Sequence, residues 1–64
     1  MFDNYPDIMT MPQVSEALQI GRTSAYMLAN RNLLEHIRIG QSIRVPKSCL
    51  IKYVESNCIP IENG

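Results

Sequence analysis

Sixty-four residues with six basic and six acidic side chains carry no formal net charge. A chain this short forms one domain at most and buries only about 60% of the surface its unfolded form exposes, so its core is small and an enclosed catalytic pocket has little room. The balanced charge lacks the strongly basic footprint usual in nucleic-acid binders, no apolar run approaches the roughly 18 residues of a membrane span, and the acidic start MFDNYPD lacks the apolar stretch of a secretion signal, so a cytoplasmic, thiol-reduced setting is expected.

Residues 1–9 read as an irregular, loosely held arm, with Pro6 opposing regular helix and Asn4 and Asp7 favouring turns. A folded domain is expected over 10–56 and a flexible tail over 57–64. The segment TMPQVSEAL opens the first helix: Thr10 is the N-cap, Pro12 sits in the first turn where a missing N–H is harmless, and Gln13 completes a capping box. Met11, Val14, Ala17 and Leu18 recur at helical spacing and give it an apolar face. Gly21 offers the freedom for a tight change of direction, and Ile20 can plug the corner.

A second helix is expected over about Arg22–Arg31, with Ala25, Leu28 and Ala29 on one face and Arg22, Thr23, Tyr26, Met27 and Asn30 around the rest. Asn32, tolerant of the left-handed region, is its stop. Two short helices joined through a glycine-bearing turn form a helix-turn-helix pattern, a weak signal alone.

In HIRIGQSIRVPKS, Ile37 and Ile39 precede a glycine-led turn, and Ile43 and Val45 follow it, at the period-2 spacing of two half-buried strands. A three-residue loop, Gly40-Gln41-Ser42, would place all four apolar side chains inward and set Arg38 directly opposite Arg44 on the outer face. A two-residue Gly40-Gln41 turn of type II′ is the alternative, but it mixes apolar and polar side chains on one face; the three-residue loop is preferred. Like charges paired across a sheet are unfavourable by up to about 1 kcal/mol, and an anion lying over them would reverse that sign. Pro46 then opens a third helix whose inward stripe is Cys49, Leu50, Tyr53 and Val54, and fraying is expected beyond Ser56.

All six basic residues lie between 22 and 52, where Arg22, Arg31, Arg38, Arg44, Lys47 and Lys52 face Glu35 alone. The flanks hold Asp3, Asp7, Glu16, Glu55 and Glu62. A neutral total therefore does not exclude a basic face for a polyanion, although a merely solvated cluster of charges has the same pattern. His36, Cys49 and Cys58 lack metal-ligand spacing, and Ser24, Ser42, Ser48 and His36 form no nucleophile motif, so neither a metal, a cofactor nor catalysis is expected.

Over residues 8–54 the chain resembles the excisionase-like helix-turn-helix domains, relatives of the MerR-type winged helix. The likeness is carried by MTMPQVSEALQIGRTSAYML, by Leu34, and by IRIGQSIRVPKSCLIKYV with Arg38, Gly40, Arg44, Val45, Pro46 and Tyr53 in place. It implies a mainly α fold with a small β-hairpin: helix-turn-helix, two-stranded wing, C-terminal helix. It further implies binding to double-stranded DNA, as a recombination directionality factor or small transcriptional regulator of a mobile element, beside a recombinase or integrase or a second copy of the chain. Neither a membrane nor a small-molecule substrate is implied.

By that resemblance Arg22, Thr23, Ser24, Tyr26 and Asn30 meet the major groove, while Arg38, Gln41 and Arg44 on the wing and Lys47 after it contact the backbone or minor groove. Tyr26 has a structural alternative, its ring packed on the first helix. Gln41 and Ser42 at the wing tip, Met27 and Asn32 depart from the family pattern and remove up to three phosphate contacts, so single copies are expected to bind weakly. The rival reading is a protein-interaction module or regulatory subunit presenting Met27, Ile59 and Ile61.

Overall fold

Three helices pack on a three-stranded antiparallel sheet, and the computed structural model describes residues 1–59. The elements are β1 (Ile8–Thr10), α1 (Met11–Leu18), α2 (Arg22–Asn30), β2 (Ile37–Ile39), β3 (Ser42–Pro46) and α3 (Lys47–Asn57). The order β1-β3-β2 puts the hairpin's second strand in the middle, so the sheet has one strand more than the expected two-stranded wing.

The capping box is present. The Gln13 N–H donates to Thr10 Oγ1 and the Thr10 N–H donates to Gln13 Oε1 at 2.9 Å, satisfying two donors that the start of α1 would otherwise leave open. The far end of α1 is closed by Gln19, which takes the left-handed conformation at φ 56°, while the Ser15 hydroxyl donates to the Ile20 carbonyl. Gly21, expected to supply the freedom of the turn, sits at φ −68° with nothing near its missing Cβ, a conformation open to any residue. Ile20 packs against the core as expected.

Ala25 and Ala29 are fully buried, and their small side chains let α2 approach α1 closely. Asn32 stops the helix at φ 56°, and the chain turns back to bury Leu34 completely. The core comprises Met9, Met11, Val14, Ala25, Ala29, Leu34, Ile43, Val45 and Leu50.

Two expectations are corrected. Ile8 and Met9, placed in a loose arm, belong to β1, with Met9 opposite Val45 and Thr10 opposite Arg44. The preceding residues are tied down as well: the Lys47 N–H donates to the Asp7 carbonyl at 2.7 Å, Lys47 Nζ donates to the Tyr5 carbonyl, and the Tyr5 hydroxyl donates to Glu16 Oε1 at 2.7 Å. That last bond, with some desolvation and the Glu16 charge, raises the Tyr5 pKa above its usual value.

The hairpin takes the two-residue turn. Ile39 pairs with Ser42, Arg38 with Ile43 and Ile37 with Arg44. Of the two turn residues only Gly40 has positive φ, 60°, as a type II′ turn requires. This register turns Ile37 and Ile39 outward, while Ile43 and Val45 remain buried. The outcome is physically consistent because an antiparallel sheet can leave one face to solvent, and Ile37 and Ile39 lie on that face with Ile8, Ser42 and Arg44 while the core takes Met9, Ile43 and Val45 from the other. The expected side-by-side pair of Arg38 and Arg44 does not form: the two arginines point to opposite faces of the hairpin.

In α3, Leu50 is fully buried and Cys49 and Tyr53 pack partly against the core. The helix continues through Ser56 to Asn57, one residue beyond the expected fraying point. Of the expected tail, residues 60–64, including Ile61 and Glu62, lie outside the described residues.

Candidate nucleic-acid interface

The outer side of α2 follows from its inner side. With Ala25 and Ala29 turned into the core, the helical repeat leaves Arg22, Thr23, Ser24, Tyr26 and Asn30 exposed. Arg22, Tyr26 and Asn30, four apart, line one stripe, with Thr23 beside it. Tyr26 is 42% exposed and stands outside the set of side chains packed on the core, unlike the reading that laid its ring on α1. Gly21 caps α2 without a side-chain bond, which leaves first-turn N–H groups facing outward.

The wing is joined to this helix. Register places Arg38 on the hairpin face that also carries buried Ile43, and its Nη2 donates to Asn30 Oδ1 at 3.1 Å. Two candidate residues from different elements are thereby brought together. Arg44 lies on the other face, between Thr10 and Ile37, half-buried, with Nη1 donating to the Ile43 carbonyl. Gln41 is exposed at the tip.

Lys47 is engaged with the N-terminal segment. Its ammonium bonds the Tyr5 carbonyl and lies 3.7 Å from Asp7 Oδ1, so it holds the N-terminal segment against the start of α3. Lys52 pairs with Glu35 at 3.3 Å. Among the described residues, none of the four arginines has a carboxylate within 4 Å, so the unbalanced positive charge rests on Arg22, Arg31, Arg38 and Arg44. Arg31 had not been singled out; it is exposed at the end of α2, and its lack of an acidic neighbour cannot be read from sequence order.

Cys49 and Cys58 are free thiols, and no group of three His, Cys, Asp or Glu residues converges among the described residues.

The two helices, the short turn between them and the hairpin that follows define a winged helix-turn-helix protein. A family model described as a helix-turn-helix domain matches residues 8–58, and the chain belongs to that family, a DNA-binding class of domain. No curated protein and no solved structure matches the chain.

Proposed function

We propose that the protein binds double-stranded DNA by laying α2 in the major groove and setting the hairpin on the adjacent backbone or minor groove. The observation that carries this reading is that the four arginines, which have no acidic partner among the described residues, lie on α2, at its end and on the hairpin joined to it. An α-helix with its side chains is about 10–12 Å across and fits a major groove about 12 Å wide. Arg22 and Thr23 enter the groove first, with Ser24, Tyr26 and Asn30 behind them. Gln41 and Arg44 serve the backbone, and Arg38, bonded to Asn30, ties the wing to the groove-facing side of α2. Lys47 supports the wing from behind through the N-terminal segment.

Four arginines and an uncharged wing tip make a modest electrostatic footprint, so a single copy binds weakly and occupancy is gained on closely spaced sites, beside a second copy or a recombinase. That behaviour fits an excisionase-type directionality factor, or a small transcriptional regulator of a mobile element, acting on DNA in the cytoplasm.

A second reading, a protein-interaction module or regulatory subunit, is favoured by a different observation: Met27 lines an apolar groove with Leu18, Ile20, Leu28 and Tyr53, and Ile8, Ile37 and Ile39 share the exposed outer face of the sheet. Titration of a mixed-sequence duplex at rising salt separates the two. A DNA binder loses affinity steeply as salt rises, because each neutralised phosphate releases counterions. Absence of duplex binding at low salt leaves the interaction module as the surviving reading.

A further inference from the structure

Asn30 and Arg38 meet at the exposed junction of α2 and the hairpin. A guanidinium carries donors only, so the end of the Asn30 amide that faces it is the oxygen, and the NH2 group turns away. The register independently directs Arg38 toward the helices, since it stands opposite buried Ile43.

An asparagine reads adenine by accepting from N6 with its oxygen while its nitrogen donates to N7. Here the oxygen is held by a cation that keeps further N–H donors of its own. An adenine N6 amine brought to that oxygen meets donors of the same sign. Guanine offers N7 and O6, two acceptors and no opposing donor, on the same groove edge.

We propose that Asn30 and Arg38 act as one composite, donor-only reading unit that selects guanine over adenine, with Arg38 as the positioning residue that orients the Asn30 amide. This rests on the placement of α2 in the major groove. A positioning role differs from a phosphate contact in what it moves: a phosphate contact changes affinity for every sequence alike, whereas a positioning residue changes which base is preferred.

The experiment selects duplexes from a base-randomised pool with the purified full chain at low salt, then titrates the selected duplex with each of the four bases at every position. The wild type is expected to favour guanine over adenine about tenfold at one position, a preference that Asn30→Ala removes. Arg38→Met, which keeps reach but no donors, is expected to move that position toward adenine, and adding it to Asn30→Ala is expected to change the base preference no further. Arg38→Lys keeps the charge without the planar fork; it is expected to retain the salt slope while the preference shifts.

Adenine preferred by the wild type at the Asn30-dependent position overturns the proposal. So does an Arg38→Met variant that loses affinity equally for all four bases. Salt-sensitive binding without any Asn30-dependent base preference overturns the composite alone. Absence of salt-sensitive binding overturns the DNA reading and the composite with it. Thermal unfolding of each variant shows whether the fold is retained, and Asn30→Asp, which also accepts from Arg38 but cannot donate, must lose the guanine preference even if Arg38→Met fails to fold.

Discussion

Arg44 and Lys47 lie three residues apart and are committed to different tasks. The Lys47 ammonium bonds the Tyr5 carbonyl beside Asp7, a charge-assisted contact at a site only about one-fifth exposed, while Arg44 has no acidic partner among the described residues. Lys47→Ala is therefore expected to lower stability by about 1 kcal/mol in urea denaturation while leaving the salt slope of DNA binding unchanged. Arg44→Ala is expected to do the reverse, reducing the slope by about one with stability changed by less than about 0.5 kcal/mol. An exchange of those phenotypes would contradict the assignment. Tyr5 offers a pH test. Its pKa is raised in the folded state from 10.0 by the bond to Glu16, so the stabilisation it contributes is complete below the unfolded value and is lost as pH rises through the higher folded value. The stability difference between wild type and Tyr5→Phe is expected to shrink as pH rises above about 10, and a constant difference would exclude the linkage.

At the scale of elements, the two turn glycines differ in what they supply. Gly40 needs its positive φ to close the hairpin, so Gly40→Ala is expected to cost about 1 kcal/mol. Gly21 is an N-cap in ordinary extended conformation without a side-chain bond, so Gly21→Ser is expected to stabilise the fold by a few tenths of a kcal/mol by capping α2. Thermal denaturation of both variants checks the signs. The helices were legible because their signals are local: Thr10 with Gln13 opens α1, Asn32 ends α2, and Ala25 and Ala29 define the buried side of α2, from which its exposed stripe follows. The strand Ile8–Thr10 was not legible, since three residues carry no alternation and their partners lie more than thirty positions away in β3. Hairpin register failed for a related reason: alternation of Ile37, Ile39, Ile43 and Val45 states which residues could share a face, but not that the sheet leaves one face open on which the isoleucines of β2 can remain. The junction of Asn30 with Arg38 depends on that register and was hidden with it.

For the whole molecule, a neutral total charge conceals an uneven arrangement. Among the described residues, Lys47 and Lys52 are balanced by Asp7 and Glu35, and the four arginines are left over. A core of nine buried side chains among the described residues holds this arrangement in place, and little can be removed from it. Leu50→Ala is expected to cost about 3 kcal/mol, comparable with the whole stability of a domain this small, and to leave much of the chain unfolded by circular dichroism. The central claim is that α2 and the wing form one DNA-binding surface. Its most direct test follows the backbone amide resonances of the labelled chain during titration with a mixed-sequence duplex at low salt. The largest shifts are expected over residues 21–31 and 38–44 and are expected to collapse when salt is raised. Shifts concentrated instead on the second half of α3, or a spectrum that duplex DNA leaves unchanged, would contradict it.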